Sequence, residues 1–197
     1  MKHHVVYVPG LGDQRPYGQS FLLHLWRPFG LTPHYHALGW ADGEPFTPKL
    51  ERLIAKIDSL KSAGNKVSLV GVSAGASAVL TAYSQRLDDV TGVVCISGKI
   101  QNPGKINERY FIKNPAFKDS VFGLSKVLES LSPAELGRIM SIHPIHDQTV
   151  PISDTIIKGV VENRIFAFGH IQSIFYCLLF EGPAIARFLK KAATRTI

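Results

Sequence analysis

The sequence predicts an α/β fold, a three-layer sandwich with a mostly parallel sheet of about six strands and helices on both faces. Two observations predict this class. Short apolar runs alternate along the chain with longer segments whose apolar residues recur at helical spacing. The short runs are apolar on both faces, as strands are when helices cover both sides of a parallel sheet.

In the first half of the chain, turn signals separate strands from helices. The region 47–64 is the clearest helix, with Thr47 as its predicted N-cap, Pro48 in its first turn and Gly64 at its end. The predicted elements are strands at 3–8, 33–38 and 66–71 and helices at 17–29, 47–64 and 74–87.

The second half continues the alternation, except in one long segment. Strands are predicted at 90–98, 137–144 and 162–169, a short helix at 151–159, and a helical end at 173–192 that is interrupted at Gly182 and Pro183. Residues 99–137 are rich in Phe and Lys and contain three prolines, and we expect them to form a small helical cap or lid within a single domain over 1–197. The alternative is that they form ordinary surface helices.

Composition limits the classes of protein. The chain has 197 residues, is 45% hydrophobic and 19% charged, and carries a net charge of +7, which is typical of a globular domain with a basic surface. No zinc-ligand spacing, aromatic RNA-binding motif or dense lysine run accompanies the charge, so we expect no nucleic-acid partner. Cys95 and Cys177 lie in apolar runs, and no apolar run is long enough to span a bilayer. We therefore expect a soluble cytoplasmic protein.

The motif Gly71-Val72-Ser73-Ala74-Gly75 follows directly on a predicted strand. Gly-x-Ser-x-Gly at this position is typical of a sharp strand-to-helix turn that leaves the serine exposed. The alternative is that Ser73 only caps the following helix.

A nucleophilic serine needs a base and an acid, and the sequence offers both on later loops. Asp147 follows the fifth predicted strand and His170 follows the sixth, so parallel strands would bring them to the same edge as Ser73. Asp154 is the alternative acid. His143 and His146 are spaced as possible metal ligands, but nothing at suitable spacing completes such a site, and we expect no metal and no cofactor.

Taken together, these motifs resemble the α/β-hydrolase superfamily, in a compact form that lacks its first two antiparallel strands. The resemblance covers nearly the whole chain and rests on "GVSAG", "HDQTVP" and the late "GH". It implies Ser73 as nucleophile, Asp147 as acid and His170 as base. It also implies an oxyanion hole from the N–H groups of Ala74 and of Leu11 in "PGLGD", with Gly12 as the alternative second donor.

The resemblance implies a serine hydrolase that acts on small-molecule carboxylic esters. A thioesterase or amidase with the same triad is one alternative, and a catalytically silent binding protein with this fold is another. Aromatic residues of the chain are either pocket walls or ordinary core: Trp26, Trp40, Phe111, Phe117 and Phe122.

Overall fold

The computed structural model describes residues 1–194, and its centre is a six-stranded sheet in the order β2-β1-β3-β4-β5-β6. Every neighbouring pair of strands in it is parallel. The strands are β1 (His3–Val8), β2 (Leu31–Tyr35), β3 (Lys66–Val72), β4 (Val90–Ile96), β5 (Ile139–His146) and β6 (Val161–Phe168). The predicted fold class is confirmed. The predicted domain also includes residues 195–197, which lie outside the described residues.

Helices connect the strands and cover both faces of the sheet. The α-helices are α1 (Gln19–Leu22), α2 (Phe46–Ser62), α3 (Gly75–Gln85), α4 (Glu108–Lys113), α5 (Pro115–Phe122), α6 (Leu124–Ser130), α7 (Pro133–Leu136), α8 (His170–Phe180) and α9 (Gly182–Ala192). Short 3-10 helices occupy Leu23–Phe29, Pro103–Lys105 and Ile152–Asp154. In residues 1–194, no helix has both the length and the hydropathy that crossing a membrane requires.

Two hydrophobic cores lie on opposite faces of the sheet. Successive side chains of β1 alternate between them: Val6 and Val8 pack with α2 and α3, whereas Val5 and Tyr7 pack with α8 and α9. This alternation follows from the two-residue period of a strand. Burial on both faces explains why the inner strands β3 and β4 are mostly apolar, whereas the edge strands β2 and β6 are partly exposed and carry polar residues.

The structure differs from the prediction in three local elements. The helix expected over 17–29 is a single α-turn followed by a 3-10 helix, because Pro28 lacks an N–H and residues Tyr17 and Gly18 have positive φ. Helix α2 starts at Phe46, so Thr47 is not its N-cap. The helix expected over 151–159 is only the 3-10 turn Ile152–Asp154.

The segment 99–137 connects β4 to β5 and contains α4 to α7. Helices α5 and α6 contact α3, and α5 also contacts α2. Two hydrogen bonds fix the segment on α3: the Ser77 and Ser120 hydroxyls lie 2.8 Å apart, and the Tyr83 hydroxyl donates to the Glu135 carbonyl at 3.0 Å. The segment therefore lies on the face of the sheet that α2 and α3 cover.

Candidate active site

Ser73 lies at a sharp bend between the end of β3 and the start of α3. Its φ of 52° is in the left-handed region, which a residue with a side chain rarely adopts. Two glycines permit the bend, because a Cβ at Gly71 would come within 3.0 Å of the α3 backbone and one at Gly75 within 3.0 Å of the Val8 carbonyl oxygen. The predicted turn is therefore present, and it holds Ser73 at the carboxyl edge of the sheet.

A continuous chain of hydrogen bonds joins Ser73, His170 and Asp147. The Ser73 Oγ lies 2.9 Å from His170 Nε2, and His170 Nδ1 lies 2.7 Å from Asp147 Oδ2. An ionised carboxylate only accepts hydrogen bonds, so Nδ1 donates to Asp147 and Nε2 accepts from the serine hydroxyl. The imidazole thus presents a lone pair to the hydroxyl proton, as a general base must.

Asp147 is buried and its orientation is fixed by the loop that follows β5. Its Oδ1 accepts hydrogen bonds from the N–H groups of Thr149 and Val150, each at 2.8 Å. Burial raises the pKa of Asp147, but the hydrogen bonds from His170 and from these two N–H groups outweigh burial, so the pKa lies below its usual value. The carboxylate therefore stays ionised at neutral pH and can stabilise a protonated imidazole.

His170 is the first residue of α8 and follows directly on β6. The preceding Gly169 has a φ of 96°, which favours glycine, and its N–H donates to the His146 carbonyl at 2.8 Å. This bond ties the end of β6 to the end of β5, where Asp147 begins the next loop. The imidazole is 6% exposed, so its orientation is set by packing as well as by its two hydrogen bonds.

The turn after β1 packs against the serine. A Cβ at Gly10 would lie 2.9 Å from the Ser73 Cβ. Within residues 1–194, no backbone acceptor pairs with the N–H groups of Leu11, Gly12 and Ala74. Leu11 lines the cavities on both sides of Ser73 and Gly12 lines only one, which makes Leu11 the better placed of the two as second oxyanion donor.

Ser73 lies between two cavities that share Leu11, Tyr110 and Thr149 as walls. The first has a volume of about 310 Å³ and extends below the segment 99–137. The second has a volume of about 240 Å³ and is lined by His170 and α8. The first lies at the lower end of the sizes common for small-molecule sites.

Asp154, the alternative acid, contacts a different partner. It is buried and forms an ion pair with Lys99, and its second oxygen accepts a hydrogen bond from the Asn102 side chain at 2.6 Å. Burial raises the pKa of Asp154, but Lys99 and Asn102 outweigh it, and the pKa is lowered. The structure joins His170 to Asp147 and leaves Asp154 to anchor the start of the segment 99–137.

The two histidines considered as metal ligands do not converge on a common site. His146 is exposed at the end of β5, and His143 is buried with its Nε2 unbonded, 3.9 Å from a Glu162 carboxylate oxygen. Residues 1–194 contain no group of three or more metal-ligating side chains.

Burial raises the pKa of the Cys95 thiol to about 12 and also raises that of Cys177, so neither thiol is a nucleophile at neutral pH.

Of the aromatic residues considered as pocket walls, only Phe117 lines a cavity beside Ser73. Trp40 and Phe111 belong to the core and contact Phe117, Trp40 edge-to-face at a ring-centroid distance of 6.0 Å and Phe111 at a tilt at 5.8 Å. Trp26 lies in the core on the other face of the sheet. Phe122 is 49% exposed.

Sequence reasoning missed two residues that line the larger cavity. Lys99 lies directly after β4, and its N–H donates to the Ser73 carbonyl at 3.1 Å. Its position in "SGK" at the carboxyl edge was the available signal. Tyr110 comes from α4 and lines both cavities, and no local pattern marked it.

Comparison with known proteins finds similar structures but no similar sequences. No protein-family model matches the chain, and no curated protein matches its sequence. Solved structures do match over almost its full length. Est1E from Butyrivibrio proteoclasticus has a TM-score of 0.70 at 12% identity, with 98% of this chain and 89% of that chain covered.

Two further solved structures show the same likeness. The esterase domain of a Rhodothermus marinus protein has a TM-score of 0.66 at 13% identity, with 95% of this chain and 86% of that one covered. A monoacylglycerol lipase from Paleococcus ferrophilus has a TM-score of 0.59 at 17% identity, with 96% and 94% covered. The chain therefore has the α/β-hydrolase fold, in a six-stranded all-parallel form.

Proposed function

We propose that the protein is a serine hydrolase that cleaves carboxylic esters, with Ser73 as nucleophile, His170 as base and Asp147 as the acid that orients it. The observation that carries the proposal is the hydrogen-bond chain from Asp147 through His170 to Ser73 at a strained bend. The likeness to esterases and lipases supports it at the level of the fold.

In the first half-reaction, His170 Nε2 takes the Ser73 proton as Oγ attacks the ester carbonyl carbon. The carbonyl π electrons move onto its oxygen, and the N–H groups of Leu11 and Ala74 hold the oxyanion. Collapse breaks the bond to the alkoxy oxygen. That oxygen takes the proton from the imidazolium and leaves as an alcohol, which leaves an acyl-enzyme on Ser73.

In the second half-reaction, water takes the place of the alcohol. His170 removes its proton, the resulting oxygen adds to the acyl carbon, and the intermediate collapses with return of the proton to Ser73 Oγ. Asp147 stays ionised throughout and stabilises the imidazolium in both steps. The lowered pKa of Asp147 supports this role.

The two cavities suit the two parts of an ester. The leaving alkoxy group receives its proton from His170, so it belongs in the cavity that His170 lines. The acyl group then belongs in the cavity of about 310 Å³, which suits small or medium acyl chains. The segment 99–137 covers this acyl site through Ile106, Tyr110 and Phe117, and we propose it as the cap of the enzyme.

The proposal also covers the substrate, the cofactor requirement and the cellular compartment. A small-molecule ester is the partner, and the chemistry needs no cofactor. Cys95 and Cys177 are both buried and unpaired, which supports a reducing compartment such as the cytoplasm.

The test uses a fluorophosphonate probe, which reacts with activated serines, together with hydrolysis of p-nitrophenyl acetate. We compare the wild type with Ser73→Ala and His170→Ala, and with Ser125→Ala as a matched control, because Ser125 is exposed on α6. We expect one covalent adduct per chain and ester turnover in the wild type and the control. Both should be lost in Ser73→Ala and nearly lost in His170→Ala.

A folded wild type that takes up no probe and cleaves no ester would refute the proposal, and a silent binding protein would become the leading interpretation. Labelling that persists in Ser73→Ala would place the nucleophile elsewhere. The same preparations are then given an acyl ester, thioester and amide with one common acyl group. The highest kcat/KM among them assigns the bond class, and we expect it for the ester.

A further inference from the structure

The amino ends of the strands, at the edge opposite Ser73, form a second cleft. In the parallel sheet His3 is in register with both Leu31 and Lys66, so the starts of β2, β1 and β3 lie side by side. The cleft between them and α9 has a volume of about 730 Å³, which is a size common for small-molecule sites. Strand β3 spans Lys66–Val72, so at about 3.3 Å per residue the cleft lies about 20 Å from Ser73.

Four cationic residues line this cleft: Lys2 just before β1, Arg27 in the 3-10 helix Leu23–Phe29, Lys66 at the start of β3 and Lys190 on α9. Backbone hydrogen bonds join the segments that carry them: the Lys66 N–H donates to the Lys2 carbonyl at 3.0 Å, and the Gly30 N–H donates to the Arg27 carbonyl at 2.9 Å. The Lys190 Nζ lies beside Gly30, where a Cβ would be 3.0 Å from it.

Within residues 1–194, no acidic side chain balances these charges. Among the described residues, those that line the cleft include no Asp or Glu. In the same part of the chain, none of the four cations forms a salt bridge, whereas other basic residues such as Lys49, Lys99 and Arg86 do. Cations that converge without a counter-charge repel one another, and a bound anion removes that repulsion.

Three histidines at the same edge of the sheet have pKa values that burial and nearby cations lower. Burial, together with the nearby Lys66 and Lys190, lowers the pKa of His3 to about 4. Burial also lowers the pKa values of His4 and His34, and every charge that acts on these two residues is likewise cationic. Cations of the cleft thus add to the effect of burial at each histidine: Lys66 and Lys190 at His3, Lys2 at His4 and Arg27 at His34, with Lys56 also acting on the last two.

We propose that this cleft binds a small phosphate-bearing anion with the charge of a pyrophosphate. Lys and Arg side chains supply several N–H donors to the acceptor oxygens of phosphate, and charge-assisted bonds of this kind are the strong ones. The four cations line one open cleft and do not form a long stripe, which suits a compact ligand better than the extended backbone of a nucleic acid. The ligand group is either part of a soluble metabolite or a lipid headgroup.

The test measures binding of inorganic pyrophosphate by titration calorimetry at low ionic strength. The test variant is Lys66→Gln/Lys190→Gln, and the matched control is Lys118→Gln/Lys126→Gln, which removes the same charge from exposed positions on α5 and α6. We expect saturable one-to-one binding in the wild type and the control. The Kd should rise at least about tenfold in the test variant, as expected for the loss of two charge-assisted contacts.

Absence of saturable binding in the wild type, or equal weakening in both double variants, would overturn the proposal. Stronger retention by DNA than by pyrophosphate would also overturn it, in favour of a nucleic-acid surface. A second measurement uses vesicles with and without phosphatidylglycerol. If the protein is retained on the anionic vesicles and pyrophosphate releases it, the ligand is a lipid headgroup. If the protein is not retained on them, the ligand is a soluble phosphate. Ser73→Ala should bind pyrophosphate like the wild type, so this test is independent of the proposed esterase activity.

Discussion

Ser73 and His170 are 97 residues apart in the sequence, and 2.9 Å separates Ser73 Oγ from His170 Nε2. The two residues follow β3 and β6, which are separated in the sheet by β4 and β5. With strands about 4.8 Å apart, three spacings amount to about 14 Å. The turn after β6 must therefore reach back across the edge of the sheet, and the Gly169 N–H bond to the His146 carbonyl holds it there.

Replacement of Asp147, the proposed acid, tests whether it orients His170 as the base. We expect Asp147→Asn to lower kcat for p-nitrophenyl acetate by about 10⁴, because an amide nitrogen facing Nδ1 favours the wrong imidazole tautomer. The matched control is Asp88→Asn, the same change at an exposed position. Comparable rates in the two variants would contradict the assignment of Asp147, provided that both unfold at the same temperature as the wild type.

Replacement of a single glycine tests the bend that holds Ser73, the proposed nucleophile. Gly75→Ala should destabilise the protein by more than about 1 kcal/mol, because the new Cβ would collide with backbone oxygens of β1 and the turn after it. Gly104→Ala is the control, since a Cβ there has no neighbour within 4 Å. Urea unfolding measures the difference in stability between the two variants. Equal unfolding midpoints would show that the bend at Ser73 tolerates a side chain at position 75.

The buried Lys99–Asp154 pair predicts an asymmetric response to mutation. Asp154→Asn leaves the Lys99 ammonium buried without its counter-charge, and we expect a loss of about 3–5 kcal/mol in the free energy of unfolding. Lys99→Met/Asp154→Leu removes both charges and should cost less. If the single variant is as stable as the wild type, the pair does not anchor the segment 99–137.

His3 predicts a loss of stability in mild acid. Its pKa is about 4 in the folded protein against an ordinary 6.5, so between these values the unfolded chain binds more protons and the free energy of unfolding falls as the pH falls. The loss is at most about 3 kcal/mol. His3→Gln should flatten the pH dependence of urea unfolding in this window, whereas His24→Gln, at an exposed position, should leave it unchanged. An unaltered slope in His3→Gln would contradict this explanation.

Local signals predicted the strands, and they also singled out three residues that the structure brings together in one hydrogen-bond chain. Each predicted strand has a counterpart in the structure, although the strand expected over 33–38 lies at Leu31–Tyr35. The inner strands β3 and β4 are buried on both faces, which leaves an apolar run that can be recognised from the sequence alone. Ser73, Asp147 and His170 were selected as candidates because each directly follows a predicted strand or lies in a short loop after one. Parallel pairing then brings such residues to one edge.

Contacts between distant segments explain what the sequence did not predict. The helix expected over 151–159 is limited to one turn because the Asp154 carbonyl accepts hydrogen bonds from the N–H groups of Ile100 and Gln101. The Lys99–Asp154 pair joins residues that have no shared local pattern. The basic cleft could not be predicted from the sequence either, because its four cations lie far apart in the sequence and line one cleft only in the folded chain.

The position of β1 between β2 and β3 has a consequence for how the chain folds. One edge of β1 pairs with β2 and the other edge pairs with β3. Strand β3 is synthesised only after the whole of α2. During synthesis an apolar strand is therefore left with an open edge until Lys66–Val72 emerges. Non-local parallel pairing of this kind slows folding and exposes the chain to aggregation. We expect the yield of native protein to depend strongly on temperature and on chaperone supply during expression.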